Sequence, residues 1–320
     1  MTGPQLPGVL EPVILTVTLN TALDLTYTVP ELAPHTAHRV TEVTERPGGK
    51  GVNVARVLAA LGHEAVITGF AGGPTGDVLR DLLAPLPVRD ALVPISGSTR
   101  RTVAVVDSAT GDATQFSEPG PAVAQAEWAA LVTAYEELLD GAGAVALCGS
   151  LPRGIHVGAY GELVRRARRA GVPVLLDTSG EPLRRGIAAR PDLVKPNADE
   201  LAALTGSREP LRAARDARRR GAHAVVASLG PDGLLAVTPD GTWAAAPPAR
   251  VAGNPTGAGD SAVAGLLSAL VEGASWPERL ARATALSAAT VHAPAAGEFD
   301  QARYDELLTR VTVTEPATAA

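Results

Sequence analysis

The sequence predicts an α/β protein with a mostly parallel central sheet, helices on both faces of that sheet, and a small β-sheet lid. Apolar runs of strand length alternate with segments of helical periodicity, which is typical of a parallel sheet covered by helices. The predicted elements are strand Val13–Leu19, helix Gly51–Leu61, strand Ala65–Phe70, helix Gln125–Leu139, strand Ala144–Cys148, helix Tyr160–Ala170, strand Pro173–Asp177, helix Arg212–Arg220 and strand Ala224–Ser228.

Two segments break this alternation and predict the lid. Residues from about 25 to 45 and from about 98 to 118 mix β-branched, small and polar residues with no helix between. We expect antiparallel, half-exposed strands there. Residues 228–246 predict a strand meander, and the chain after Asp260 predicts helices. We therefore expect one domain over residues 11–312, with flexible tails at 1–10 and 313–320.

Composition excludes several classes of protein. The chain has 320 residues, of which 46% are hydrophobic and 19% charged, as in globular proteins. A net charge of -6 argues against a nucleic-acid partner. Cys148 is the only cysteine, which fits a reducing compartment. Because we find neither a signal peptide nor an apolar run of ~18 residues, we expect a cytoplasmic protein without membrane contact.

Lysine use is uneven. Of 28 basic residues, only Lys50 and Lys195 are lysines, and both lie in segments punctuated by glycine or proline. Codon bias that left two lysines by chance would explain this pattern. The other explanation is that these two positions need a compact ammonium group and reject a guanidinium group.

Asp260 ends a glycine-rich turn at the start of a predicted helix. Apolar residues recur at helical spacing over residues 263–271, so this helix begins at or just after Gly259. The free N–H groups of a helix N-terminus attract phosphate. An aspartate beside them could accept the proton of a hydroxyl that attacks a phosphoryl group. Asp260 could instead only cap the helix.

Two common nucleotide-binding patterns fit poorly. Residues 257–262 match G-x-G-x-x-G/A, but that pattern follows a strand and opens a βαβ unit. Here Pro255 precedes the match, and a further helix, Pro277–Val291, follows it. The P-loop pattern is missing because Lys50 is followed by Gly51.

Three other segments and the arginines of the lid carry polar groups that suit a phosphosugar and a nucleotide, and each also has a structural explanation. The glycine loop before Asn53 opens a helix, and amide and ammonium groups there suit sugar hydroxyls, whereas the structural explanation is an ordinary loop with a capped helix. Asn197 and Glu200 have capping-box spacing, whereas a carboxylate near phosphates would orient Mg²⁺ through water. Asp24 follows the first strand, where it could bind sugar hydroxyls or lie in a solvated turn. Arginines of the lid could bind a substrate phosphate or lie free on the surface.

Together these segments resemble the ribokinase-like, phosphofructokinase B family of carbohydrate kinases, from roughly Val13 to Pro294. Two signatures about 200 residues apart carry the resemblance, and shorter segments strengthen it. The signatures are Gly48–Ala55 and Asn254–Asp260; the shorter segments are Cys148–Gly154 and Lys195–Glu200; and Thr18–Asp24 with Gly97–Arg100 looks like the phosphosugar branch, which holds 1-phosphofructokinase and tagatose-6-phosphate kinase.

The resemblance implies a role for each matching residue, with ATP and Mg²⁺ as cofactors and a homodimer through the lid. The implied roles are Asp260 as base; Gly257, Ala258 and Gly259 as anion hole; Asp24, Gly48, Gly49, Lys50 and Asn53 around the sugar; Arg39, Arg100 and Ser150 on the substrate's phosphate; Lys195, Asn197, Ser228 and Gly230 around the nucleotide, with Gly257 and Gly259; and Glu200 near Mg²⁺, through water. Thr21 replaces a usual proline, Thr102–Ala104 replaces Asn-Val-Lys, and Asn254 replaces an aspartate, which leaves a monovalent-cation site uncertain.

We therefore expect ATP-dependent phosphorylation of a ketohexose monophosphate, as in 1-phosphofructokinase, giving a bisphosphate and ADP. A kinase of tagatose 6-phosphate, fructose 6-phosphate or an unphosphorylated sugar is the close alternative. A sugar-phosphate sensor without activity, and last a dehydrogenase, are the alternatives from other classes.

Overall fold

The computed structural model describes residues 12–251 and 253–315. In chain order its elements are β1 Val13–Thr18, β2 Ala22–Val29, β3 Glu42–Gly48, α1 Lys50–Ala60, β4 Ala65–Ala71, α2 Gly73–Leu83, β5 Val88–Asp90, β6 Val93–Pro94, β7 Arg100–Asp107, β8 Ala113–Ser117, α3 Gln125–Leu139, β9 Ala142–Cys148, α4 Ala159–Arg169, β10 Val174–Asp177, α5 Gly180–Ile187, β11 Leu193–Val194, α6 Ala198–Thr205, α7 Pro210–Arg219, β12 Ala224–Ser228, β13 Leu234–Val237, β14 Thr242–Ala246, α8 Ala258–Val271, α9 Trp276–Thr290, α10 Gln301–Leu308 and β15 Thr312–Thr314.

The large sheet has the strand order β15-β14-β13-β12-β11-β10-β9-β1-β4-β5, and β6 also pairs with β4. The strands from β12 to β5 in that order run parallel, whereas β13, β14 and β15 are antiparallel. The predicted parallel sheet and its meander are thus confirmed. The carboxyl ends of β1, β9, β10, β11 and β12 share one edge, where ligands bind in open α/β sheets.

Two apolar clusters cover the two faces of this sheet. Side chains of β1 alternate between them, since Ile14 belongs to the cluster with α1, α8 and α9, and Leu15 to the cluster with α3, α4 and α7. Tyr135 and Tyr160 are the largest fully buried side chains of the second cluster. Burying each Leu, Ile or Val side chain contributes about 1.5–3 kcal/mol. These two layers hold the strand ends, and hence the site, in place.

The lid is a separate four-stranded sheet with the order β3-β2-β7-β8. The pairs β2–β3 and β7–β8 are antiparallel, as predicted, but β2 and β7 run parallel. The prediction of purely antiparallel strands is therefore wrong at the centre of the lid. The physical reason is the long connection from β3 to β7 through α1, β4 and α2, which allows the chain to return in the same direction.

Two further differences concern helices and the chain end. The sequence did not predict helices α2 and α5, because both contain glycine and proline, which lower helix propensity. Residues 313–314, predicted to begin a tail, belong to β15, which pairs with β14. The predicted tail over residues 1–10 lies outside the described residues, as do residues 316–320. No helix in the described ranges is long and apolar enough to cross a membrane.

Candidate active site

Asp260 is a buried carboxylate at the start of α8. It is the third residue of the helix and only 7% exposed. Its Oδ2 accepts a hydrogen bond from Nδ2 of Asn53, on α1, at 2.9 Å. No side chain caps α8. The helix-cap explanation of Asp260 is therefore wrong, because the carboxylate faces α1 and not the helix's own amides.

The turn before Asp260 leaves part of the helix N-terminus free. Gly257 has φ 84°, and a Cβ there would lie 2.7 Å from Cα of Ala296, so this position requires glycine. The N–H of Ala258 donates to the oxygen of Pro255 at 3.1 Å. Among the described residues, the N–H groups of Gly257, Gly259 and Asp260 have no acceptor in the chain. The amides available to an anion are thus those of the glycines and Asp260, and not that of Ala258.

Burial raises the pKa of Asp260 to about 6. The ammonium group of Lys50 opposes this rise, and the carboxylate of Asp177 reinforces it. A carboxyl group with such a pKa is ionised at neutral pH and holds a proton more readily than an ordinary aspartate. This is the property that a general base near neutral pH needs.

Asp177 joins the two lysines of the chain. It ends β10 and is 1% exposed. Nζ of Lys50 lies 3.3 Å from both of its carboxylate oxygens, and Nζ of Lys195 lies 3.7 Å from Oδ1. Burial would lower the pKa of Lys50, yet the carboxylates of Asp177 and Asp260 raise it above its ordinary value. This contact favours the explanation that both positions need compact ammonium groups.

Asp24 lies on β2, which pairs with β3 in the lid sheet. A Cβ on Gly48 would lie 2.2 Å from Oδ2 of Asp24, so glycine lets the carboxylate approach the backbone. Burial raises the pKa of Asp24 to about 6, while a hydrogen bond from Thr102 and the charge of Arg100 oppose the rise. Asp24 is therefore a partly buried strand residue, and the explanation that it lies in a solvated turn is wrong.

Asn20 connects Arg100 with Ser150. Nε of Arg100 donates to the backbone oxygen of Asn20 at 3.3 Å, and its Nη1 donates to Oγ1 of Thr102 at 3.2 Å. Nδ2 of Asn20 donates to Oγ of Ser150 at 3.0 Å. Two of the three residues predicted to bind a substrate phosphate thus come together. The third, Arg39, is exposed in the loop between β2 and β3 and takes no part in these contacts.

Arg56 fixes α1 to the loop after α9. Its Nη1 donates to the oxygen of Ala296 at 2.9 Å, and its Nη2 donates to Oε1 of Glu298 at 2.8 Å. Its guanidinium group therefore holds the helix that carries Asn53 against the segment that packs on Gly257.

A cavity of about 770 Å³ lies beside the Gly257 turn, since Pro255, Ala258 and Gly259 line it. Its polar wall includes Asn197, Ser228, Gly230 and Gly259, all predicted at a nucleotide. Its apolar wall, suited to a nucleobase, is formed by Leu234, Val251, Ala262, Ala288 and Val291. Lys195 lies between this cavity and Asp260. A Cβ placed on Gly259, which lines the cavity and precedes Asp260 in the chain, would lie 3.5 Å from the Nζ of Lys195.

Comparison with known proteins decides the class of enzyme. A family model described as pfkB family carbohydrate kinase matches residues 16–302. The chain belongs to the PfkB family of carbohydrate kinases. A curated 1-phosphofructokinase from Rhodobacter capsulatus is 41% identical over 280 residues, which are 86% of this chain and 89% of the relative.

Solved PfkB-like structures share the whole fold. Phosphofructokinase-2 from Escherichia coli in complex with potassium gives a TM-score of 0.87 at 32% identity, covering 93% of this chain and 99% of that one. A possible 1-phosphofructokinase from Thermotoga maritima gives a TM-score of 0.86 at 26% identity, covering 95% and 99%. The predicted ribokinase-like fold and the predicted kinase class are confirmed, and the sensor and dehydrogenase alternatives are not favoured.

A PfkB kinase transfers a phosphoryl group from ATP and uses a metal ion, and the residues of this chain fit such an ion. Within residues 12–251 and 253–315, no group of three or more His, Cys, Asp and Glu could hold a metal by itself. In kinases such a metal keeps several waters and is bound by substrate phosphates with one or two carboxylates. Oε2 of Glu200 accepts the N–H of Asn197 at 2.9 Å in a capping box, which leaves Oε1 for such a water.

Sequence reasoning missed Asp177 and Asn20 as site residues. Both follow the pattern of a polar residue at the carboxyl end of an apolar strand, β10 and β1 respectively. Since both strands were predicted, this signal was present and could have marked them.

Proposed function

We propose that this PfkB kinase phosphorylates a ketohexose monophosphate, with fructose 1-phosphate as its substrate and Mg·ATP as its donor, giving a bisphosphate and ADP. The observation that carries the proposal is the position of Arg100 beside Asp24, with Thr102 hydrogen-bonded to both. A guanidinium group suits a phosphate and a carboxylate suits sugar hydroxyls, so one substrate would meet both. The 41% identical relative named 1-phosphofructokinase supports the choice of sugar.

The proposed substrate site extends from Arg100 to Asp260. Asp24, Gly48, Gly49, Lys50 and Asn53 would surround the sugar, and Arg100 with Ser150 would bind its phosphate. Arg39 would join them when the lid closes. Lid closure would also exclude water, which otherwise competes with the sugar hydroxyl for the phosphoryl group.

In the proposed reaction the free hydroxyl of the sugar attacks the γ-phosphorus of ATP. The new O–P bond forms as the bond from phosphorus to the ADP oxygen breaks, and the hydroxyl proton passes to Asp260. Asn53 holds Asp260 in place through its 2.9 Å hydrogen bond. The free amides of Gly257 and Gly259, with Lys50 and Lys195, would stabilise the charge on the transferring group.

The nucleotide would lie in the 770 Å³ cavity, with its phosphates toward Lys195 and Asn197 and its base beyond Ser228 and Gly230. Mg²⁺ would lie near Glu200 through water, where it neutralises charge on the β- and γ-phosphates when bound.

We further propose a homodimer through the lid and a cytoplasmic location. Val43 and Phe116 on the lid strands are 56% and 59% exposed, which favours a partner surface there. The buried thiol of Cys148 fits a reducing compartment.

The pH profile follows from the pKa values of Asp260 and Asp24. Both are raised to about 6, and both act in the ionised form, so kcat/KM is expected to fall as pH drops through 6. Below that pH the decline steepens toward two log units per pH unit, because two groups take up protons. Steady-state rates from pH 5 to 8, with circular dichroism to confirm folding, measure this. A flat profile over that range contradicts the roles of both carboxylates.

The substrate is tested by ADP release with fructose 1-phosphate, fructose 6-phosphate, tagatose 6-phosphate and fructose. We expect the highest kcat/KM with fructose 1-phosphate and the lowest with fructose, which lacks the phosphate that Arg100 would bind. A preference for a 6-phosphate would move the proposal to that sugar. A preference for fructose would overturn a phosphate site at Arg100.

A further inference from the structure

A second cavity, of about 600 Å³, shares Arg100 with the proposed substrate site. Its wall is mainly polar and includes Thr75, Ser98 and Thr99. Two more arginines line it, Arg101 and Arg153. Three guanidinium groups therefore line one small cavity, and such a cavity attracts anions.

Among the described residues, only one of these three arginines forms an ion pair. Nη2 of Arg101 lies 2.7 Å from Oε1 of Glu118, so that charge is balanced. Among the described residues, Arg100 and Arg153 form no ion pair, and their hydrogen bonds go to uncharged acceptors: Arg100 binds Asn20 and Thr102, and Arg153 binds the oxygen of Gly120. The cavity wall thus carries three guanidinium groups and one carboxylate, Glu118. Asp24 and Glu118 act on the charge of Arg100 through space, and the excess of positive charge that remains suits a phosphate.

Asn20 brings these two arginines to the same place. Its backbone oxygen accepts from Nε of Arg100 at 3.3 Å. Its side chain packs against Gly120, where a Cβ would lie 2.1 Å from its Oδ1. Gly120 in turn accepts from Nε of Arg153 at 3.0 Å. The same Asn20 donates to Ser150, so Arg153 is linked to both Arg100 and Ser150 by three contacts, through Gly120 and Asn20.

Arg153 is exposed, and hydrogen bonds hold its backbone and its Nε. The N–H of Val123 donates to the oxygen of Arg153 at 2.9 Å, and the Nε bond to Gly120 orients the guanidinium plane. Both terminal nitrogens of Arg153 remain without a partner among the described residues. A fixed fork of this kind binds two phosphate oxygens without much further loss of side-chain freedom.

We infer that Arg153 is a second phosphate-binding arginine, which binds with Arg100 the phosphate that the sugar substrate already carries. This inference deepens the proposed function and rests on it. With Arg153 in this role, the enzyme selects phosphorylated sugars by two guanidinium groups and the hydroxyl of Ser150. An unphosphorylated sugar would leave both guanidinium groups without a phosphate to bind.

The test compares Arg153→Ala and Arg153→Lys with Arg89→Ala, which removes an exposed arginine of β5 outside the cavity. Steady-state kinetics at saturating ATP use fructose 1-phosphate, and inorganic phosphate serves as a competitive inhibitor. We expect Arg153→Ala to raise the KM for fructose 1-phosphate and the Ki of inorganic phosphate at least about tenfold, as loss of a hydrogen-bonded charged group predicts. The kcat and the KM for ATP stay near wild type. We expect Arg153→Lys to recover part of the affinity for fructose 1-phosphate and for inorganic phosphate. Arg89→Ala is expected to leave all of these constants unchanged.

Two results overturn the inference. One is a KM for fructose 1-phosphate within twofold of wild type in Arg153→Ala. The other is an equal rise in the KM for ATP together with a lower Tm, which indicates a structural role. A wild-type enzyme that turns over no phosphosugar contradicts the proposed function instead. Calorimetric titration with inorganic phosphate then decides on Arg153 by itself, since phosphate binding that Arg153→Ala leaves unchanged excludes the site.

Discussion

Replacing Asp260 by asparagine is expected to lower kcat by about 10²–10⁴-fold, the contribution of a general base. Asparagine has the same shape, and its amide oxygen can still accept the hydrogen bond from Nδ2 of Asn53. It cannot take the proton of the attacking hydroxyl. ADP release measures the loss, and calorimetric titration with ATP is expected to show nearly unchanged nucleotide affinity.

The same substitution is expected not to destabilise the fold. The pKa of Asp260 rises from 3.8 to about 6 on folding, so the folded chain binds more protons than the unfolded chain between these values. Stability from this group is therefore present at low pH and lost as pH rises through about 6, which means that the ionised carboxylate costs stability at pH 7. Asparagine removes this cost, so Tm stays equal or rises.

Asp77→Asn is the matched control for Asp260→Asn. Asp77 is an exposed aspartate on α2, and its replacement leaves both kcat and Tm unchanged. A kcat near wild type in Asp260→Asn would contradict the assignment of the base. A loss of activity in Asp260→Asn that is proportional to a loss of folded protein would also contradict this assignment.

The fold could be predicted largely from the sequence because its strands are short apolar runs between clear helices. The exceptions have local causes. Helix α2 contains two glycines and a proline within 11 residues, so its helix propensity is low. The parallel pairing of β2 with β7 depends on where a long connection returns, and a strand's own residues do not encode the direction of its neighbour.

The site was predictable where a motif carries it and not where tertiary contacts create it. Glycines around Lys50 and before Asp260 mark loops that open helices, and the structure places those helices against each other. The hydrogen bond from Ala258 to Pro255 depends on the path of the turn. Asp177 has no motif, and its position becomes informative only when the fold brings Lys50 and Lys195 to one carboxylate.

Replacing Asp177 by asparagine is expected to lower kcat by about 100-fold, because displacing a catalytic group by even 1 Å costs about that much. The carboxylate holds Lys50 at 3.3 Å and Lys195 at 3.7 Å. Without its charge, the two ammonium groups repel each other and leave the position from which they would face the phosphates. ADP-release kinetics at several ATP concentrations measure this, and the KM for ATP is expected to rise with the fall in kcat.

A measurement of stability distinguishes the fall in kcat of Asp177→Asn from a loss of folded protein. The side chain of Lys195 is 5% exposed, and removing one partner of a buried ion pair costs about 3–5 kcal/mol of folding free energy. Rates are therefore compared per folded molecule, as measured by denaturant titration and circular dichroism. Asp90→Asn removes the ion pair between Asp90 and Arg80, far from the site in the sheet order, and is expected to leave kcat unchanged.

The acid side of the pH profile shows how Asp177 acts. Its negative charge helps to raise the pKa of Asp260, so Asp177→Asn lowers that pKa and moves the decline of kcat to lower pH. Asp177→Glu keeps the charge, and the decline stays near pH 6 even where geometry lowers the rate. An acid limb that does not move in Asp177→Asn would mean that the carboxylate only supports the two lysines. A decline of kcat that moves to lower pH would mean that the charge of Asp177 has two effects: it positions the ammonium groups of Lys50 and Lys195, and it raises the proton affinity of Asp260. Both effects are electrostatic, because these four charged groups lie close enough to interact.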